Sequence, residues 1–271
     1  MPDEPDRRTI SDLFAYCRAG APGRAALLTL EVWWLSMPVT HATNEGSLAR
    51  DRLGAFLLDR RTFLAVMVLT LALTGVGNAA TLFGFAIVLA TLWASRWDWA
   101  YLGLRRPRWA RDLLRSAKYT LAIIVVVDAL AQPAVDRLLG TSPDLSGFQF
   151  LVGNELNLLL FLAFMWGVAA FGEEVFFRGH LMGGWARAFG GGNRFWLLGA
   201  GLSTLCFGLA HAYQGPSGVV TTAMVGAILS AQFYRGRDRL ASCVLTHGLY
   251  DTVGIALIYL DRPDALGKIF L

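Results

Sequence analysis

Glu173 and Glu174 stand side by side, with Arg178 four residues on, inside the otherwise apolar stretch AFGEEVFFRGHL from Ala170 to Leu181. A carboxylate or guanidinium at mid-bilayer costs roughly 2.5–3.5 kcal/mol even on lenient insertion scales, so such groups need partners or a function. On a helix Glu174 and Arg178 sit at i, i+4, close enough to pair, and pairing lowers the cost of both. Glu173 points about one hundred degrees away and is left free. Two of the chain's four histidines lie in later apolar segments, His211 in CFGLAHAY and His247 in VLTHGLYDT. Cys243, His247 and Asp251 recur at i, i+4 and i+8, as do Ser203, Phe207 and His211, so each set shares one helical face. A free carboxylate, two imidazoles, a second carboxylate and an arginine, converging from three helices, can hold and deprotonate a water and then stabilise an oxyanion.

The solvent around these charges follows from composition: 55% of the 271 residues are hydrophobic, 16% are charged, and mean hydropathy is +0.48. These values belong to an integral membrane protein. The short alternating strands of a closed barrel are absent from the pattern, which leaves helices. The opening residues MPDEPDRRTISD lack the apolar core and small-residue cleavage site of a secretory signal, so nothing marks this terminus for removal. The net charge of +4 does not point to nucleic acid, because the basic residues sit in short loops between apolar runs, as positive-inside placement requires. Arginine supplies 22 of the 24 basic residues, a bias that fits a GC-rich bacterial source, and for a helical membrane protein of such a source the expected location is the inner (cytoplasmic) membrane, crossed several times. Cys17, Cys206 and Cys243 are odd in number and scattered, which implies neither a disulfide framework nor a cysteine metal site.

Elements must position the charged set. Ile10, Leu13, Phe14 and Cys17 recur at helical spacing among arginines and suit a helix in the headgroup region, and Leu27 to Thr40 is a short span interrupted by Glu31 and Pro38. The run from Thr62 to Ala94 is too long for one ordinary span. Arginines flank both of its ends, so loop charge predicts a hairpin of two short helices broken near Gly75, Gly77 and Asn78. Apolar segments near 119–135, 155–187, 195–213, 217–234 and 240–260 predict five further helices. The expected fold is an all-α polytopic membrane protein of about eight transmembrane helices. Residues 1–96 would form the interfacial helix and first membrane helices, 97–260 the catalytic membrane core, and 261–271 a tail. Alternation of charge puts the 95–118 loop and the 235–239 turn in the cytoplasm, and the uncharged Gln214 turn and the C-terminus outside. Counting about 1.5 Å per residue inward from the basic turns brings His211 out deeper than Glu173 and His247, so shared chemistry requires tilted or offset helices.

The motifs Glu173-Glu174-xxx-Arg178, Phe207-xxx-His211 and His247-xxx-Asp251, in this order on successive apolar segments, resemble those of the CAAX prenyl endopeptidase and bacteriocin-processing (CPBP, or Abi) family of intramembrane proteases. YLGLRRP at 101–107 is similar to that family's lead-in, so the resemblance spans roughly residues 97–260. Three ordered motifs are far more specific than a lone EExxxR. The resemblance implies an all-helical membrane fold and a glutamate-activated water that attacks a peptide bond near the C-terminus of a hydrophobic or membrane-anchored substrate. On this chain it makes Glu173 the general base with His211 sharing the water, and Glu174 the partner of Arg178. It turns His247 and Asp251 toward the oxyanion. The commoner form has asparagine at the last position. An ionised Asp251 can only accept, so it must be protonated or must orient His247 as the donor, and the i, i+4 spacing favours the second.

Taken singly, these residues have plainer explanations: an ion pair for Glu174 and Arg178, an intramembrane pair for His247 and Asp251, a backbone-bonded His211, and packing for Cys206, Cys243, Phe176 and Phe177. His41 and His180 receive no role. Three rivals to a cofactor-free peptidase remain. A zinc protease would take Glu173, His211 and His247 as ligands, although HExxH is absent. A transporter or proton relay would use the same midplane charges without cutting peptides. A non-catalytic immunity or scaffold protein, a role some relatives have, would tolerate loss of the glutamate. A bacterial source argues against prenylated tails and leaves bacteriocin leaders and C-terminal sorting tails as substrates.

Overall fold

A computed structural model of the chain describes residues 45–74, 76, 79–237 and 239–268. The expected interfacial helix and the apolar segment Leu27 to Thr40 therefore lie outside the described residues. The chain is all-α: α1 is Glu45–Leu58, α2 Arg60–Leu73 and α3 Ala79–Ala94. Next, α4 runs unbroken through Trp109–Ile123, a π-helical stretch Ile124–Ala131, and Gln132–Leu139. Helix α5 comprises Glu155–Phe164, a π-helical stretch Met165–Gly184, and Trp185–Ala188. Three regular helices follow, α6 Asn193–Ala210, α7 Gly215–Arg235 and α8 Leu240–Tyr259. Among the described residues the sole β pairing is an isolated bridge between Leu104 and Arg239.

The apolar run from Thr62 to Ala94 is two helices, as its flanking arginines required, and Asp59 starts the first by accepting from the amides of Arg61 and Thr62. By length and composition Glu155–Ala188, Ala212–Arg235 and Leu240–Tyr259 can each cross a bilayer, while Ala79–Ala94 is apolar but shorter. The count of about eight spans stays an expectation. All five predicted segments after Lys118 are helical; the last four lie within a few residues of their expected limits, whereas the first belongs to a longer helix that already starts at Trp109.

Two features set the frame for the charged residues. The main core joins Val88 and Leu92 of α3 to Val175, Phe176 and Phe177 of α5, with Phe207 of α6 and Cys243 of α8. Hydroxyls then tie α4 to α8, Ser116 donating to the Ser242 carbonyl (2.9 Å) and Thr120 to the Thr246 carbonyl (3.2 Å). Gln232 of α7 donates to the Ser242 carbonyl and to the Thr246 hydroxyl, both at 3.0 Å. With no hydrophobic drive between helices in lipid, such bonds and close packing fix the register. That register sets His247, the residue after Thr246. At the basic end, the YLGLRRP loop is pinned to the α7–α8 turn: the Leu240 amide donates to the Gly103 carbonyl (3.0 Å), and Arg239 grips Asp112 through two short bonds (2.6 and 2.7 Å). Gly103 is required there, since its φ is +81° and a Cβ would meet the Arg237 carbonyl at 2.9 Å.

Candidate active site

Glu173, Glu174 and Arg178 all lie in the π-helical part of α5, where i→i+5 bonding widens the turn. Such departures from α geometry are frequent at functional sites. Gly172, just before the glutamates, has no side chain to hold off α3, and the Phe85 ring rests against it, where any Cβ would stand.

The predicted pair is present: Arg178 Nη1 donates to Glu174 Oε1 at 2.7 Å, both side chains fully buried. Sequence reasoning missed that the same oxygen also accepts from His247 Nδ1 at 2.9 Å. Arg178 Nη2 reaches the Gly226 carbonyl of α7 at 3.1 Å, and its guanidinium lies 4.3 Å from the Phe207 ring centroid of α6. One buried ionic cluster therefore fastens α5, α6, α7 and α8 together. Only cross-helix packing, which a linear spacing does not encode, brings Glu174 to His247.

On its other side, His247 Nε2 stands 3.3 Å from Asp251 Oδ2, the i, i+4 relation expected of them. Both ring nitrogens thus face carboxylate oxygens, and with both carboxylates ionised each nitrogen must carry a proton. No N–H of His247 is left to point elsewhere in this arrangement, which bears on its expected role toward an oxyanion. His211 ends α6, and its Nδ1 lies 2.8 Å from the Phe207 carbonyl. A carbonyl only accepts, so the proton is on Nδ1 and Nε2 is bare in the neutral ring.

Glu173 has a buried Oε2 without a hydrogen-bond partner among the described residues. Its carboxylate lies within Coulombic reach of His211, His247, Asp251 and Glu174. Glu173, His211, His247 and Asp251 line one cavity of about 1200 Å³, together with Phe176, Phe177 and Phe207. Glu174 and Arg178 are not on that wall but behind it. The depth difference counted along the sequence does not keep these side chains apart, since all four line the same cavity.

The other nucleophile candidates lie elsewhere. Ser203 is buried and donates to the Phe177 carbonyl (2.7 Å), and Cys206 and Cys243 are buried thiols off the cavity wall. His180 is buried between the Phe63 and Phe176 rings with Nδ1 3.2 Å from the Thr91 hydroxyl, a packing role. His41 is outside the described residues. As zinc ligands, Glu173, His211 and His247 fit poorly, because both nitrogens of His247 already stand against carboxylate oxygens. Among the described residues no three His, Cys, Asp or Glu side chains gather closely enough to hold a metal ion. Sequence reasoning also passed over Tyr213, whose ring stands 5.8 Å from that of His211, and Tyr250, which donates to Asp128 at 2.8 Å. All three line the cavity. The Phe207-xxx-His211 spacing gave no sign of the first, since Tyr213 lies past the helix end.

Compared with known families, residues 155–253 match the model described as Type II CAAX prenyl endopeptidase Rce1-like, about a third of the chain. The matched segment contains all three motifs, while the YLGLRRP lead-in lies outside it. No curated protein and no solved structure matches the chain. The segment whose helices bring Glu173, His211, His247 and Asp251 to one cavity is therefore the one that matches the type II CAAX prenyl endopeptidase Rce1-like family.

Proposed function

We propose that this membrane protein is an intramembrane endopeptidase of glutamic type, cutting a peptide bond near the C-terminus of a hydrophobic or membrane-anchored substrate with a water activated by Glu173. The observation that carries it is the shared cavity: Glu173 lines it and has a buried carboxylate oxygen without a hydrogen-bond partner among the described residues, while Glu174 is held behind the wall by Arg178 and His247. A water between Glu173 and the bare Nε2 of His211 donates one hydrogen to each. As its oxygen bonds the carbonyl carbon, Glu173 takes a proton and the carbonyl π pair moves onto oxygen. Collapse re-forms the carbonyl, breaks the C–N bond, and returns the proton from Glu173 to the departing amine. The buried cluster of Glu174, Arg178 and His247 is a positioning element, and Asp251 holds His247 from the cavity side. The chemistry uses no metal. Phe176, Phe177 and Phe207 supply the apolar wall for the substrate.

Purified protein in lipid nanodiscs should cleave one of two matched probes, a peptide with an unmodified apolar C-terminal tail or its farnesylated CAAX counterpart. The unmodified tail is the expected substrate. Glu173→Gln keeps size and hydrogen bonding but removes the proton acceptor, so cleavage should fall by about a hundredfold to ten-thousandfold. Retention of full activity by Glu173→Gln would refute the assigned base.

A further inference from the structure

Attack on a carbonyl develops negative charge on its oxygen, and a donor aimed at that position commonly supplies the largest single contribution to catalysis. The nitrogens expected to serve are engaged: both of His247 by carboxylates, and Nδ1 of His211 by the Phe207 carbonyl. Arg178 has Nη1 on Glu174 and Nη2 on Gly226, behind the wall. The Tyr250 hydroxyl is spent on Asp128.

Tyr213 differs from all of these. It occupies the short 3₁₀ turn Ala212–Gln214 directly after His211, lines the cavity, and holds its ring 5.8 Å from the histidine ring. Its hydroxyl accepts a hydrogen bond from Gln214 Nε2 at 3.1 Å, which orients the oxygen and leaves the phenolic proton to be donated. Glu173 and Asp251 line the same cavity as Tyr213. A neutral phenol also brings no cation that would quench the basicity of Glu173.

We propose that the Tyr213 O–H is the oxyanion donor of this site, a further catalytic residue that touches the substrate carbonyl oxygen while Glu173 takes the proton of the water. This rests on the glutamate-base reading above. Tyr213 keeps its own proton throughout: the hydrogen bond tightens as the carbonyl oxygen becomes anionic and relaxes when the C–N bond breaks. Tyr213 is 61% exposed, and a bound peptide would cover it, which strengthens the bond at the moment of reaction.

The test compares Tyr213→Phe, Tyr119→Phe and Glu173→Gln in nanodiscs, using the cleaved peptide probe and a phosphinate isostere of its scissile bond. Removing one oxyanion-hole donor costs about 10²–10³ in kcat in enclosed sites, and the exposure of Tyr213 places it at the lower end, about tenfold to a hundredfold. Tyr213→Phe should lower kcat by that factor with KM unchanged, and should weaken phosphinate inhibition by the same factor, which a packing role would not do. Tyr119, remote from the cavity and bonded to Arg235, serves as the phenol control and should keep wild-type kinetics. Wild-type kcat and phosphinate affinity in Tyr213→Phe, alongside an inactive Glu173→Gln, overturn the oxyanion assignment and leave the base standing. Full activity in Glu173→Gln overturns both.

Discussion

Glu174→Gln tests whether the buried cluster holds the helices in register. In the native protein Glu174 Oε1 receives both Arg178 Nη1 and His247 Nδ1, and the Arg178 and Glu174 side chains are wholly buried. Gln keeps the volume and the carbonyl acceptor but removes the charge, so a guanidinium is left in the interior without its anion. Breaking a buried pair by removing one partner costs about 3–5 kcal/mol. Arg178 keeps the Gly226 carbonyl and the Phe207 ring face, and His247 keeps Asp251, which moves the cost to the lower end, about 3 kcal/mol. For a chain of this size that corresponds to a fall of roughly 6–12 °C in Tm. The assay is thermal unfolding in detergent, followed by reaction of the buried thiols Cys206 and Cys243 with a thiol-reactive dye after Cys17 is replaced. Adding Arg178→Met removes the stranded charge, and the double variant should recover at least half of the loss, a coupling that isolates the pair. A Glu174→Gln variant within roughly 2 °C of the parent, less than 1 kcal/mol by the same conversion, would refute the reasoning.

Other outcomes follow from the same geometry. Strong chelators should leave cleavage unchanged, because both nitrogens of His247 are engaged by carboxylates, and a loss that added zinc restores would favour the zinc alternative. Alkaline phosphatase fused at the Gln214 turn should be active, and fused after Arg237 inactive; activity at the second position contradicts the assigned orientation. Gly172→Ala should cost about 1–3 kcal/mol as an overpacked contact, because its Cβ would occupy the space of the Phe85 ring, and it should lower activity by moving the backbone beside Glu173. Gly248→Ala should do likewise at His247, since Trp166 fills the space over that glycine, and unfolding curves matching the parent for both variants would show that the rings yield freely.

Much of this arrangement is legible in the amino-acid sequence because lipid makes charge expensive. Helices α5 to α8 could be bounded from their apolar runs and flanking arginines, and Glu174–Arg178 and His247–Asp251 from i, i+4 spacing, since these are local relations. The hairpin of α2 and α3 followed from arginines at both ends of one apolar run. What escaped was non-local or non-α. The π-helical stretch of α5 leaves no mark in the apolar pattern, and a depth counted along single helices does not show how their packing brings His211 to the cavity of Glu173 and His247. The bond from His247 to Glu174 depends on how α8 docks on α5, with Trp166 over Gly248 and the hydroxyls of α4 fixing the register. For the same reason the sequence left His247 free to face an oxyanion, whereas both of its nitrogens face carboxylates. Tyr213 went unnoticed because it follows the helix end, where periodicity stops and a lone aromatic gives no pattern.

The central claim, a water activated by Glu173 rather than a covalent glutamyl intermediate, is tested most directly by running many turnovers in ¹⁸O-water and analysing both the product and the protein by mass spectrometry. The account predicts one ¹⁸O in the new C-terminal carboxylate of the cleaved probe and none in the Glu173 side chain. Label in the Glu173 carboxylate would mean that Glu173 itself attacks the carbonyl, and no labelled product from either probe would mean that the chain does not hydrolyse these peptides; each result contradicts the account.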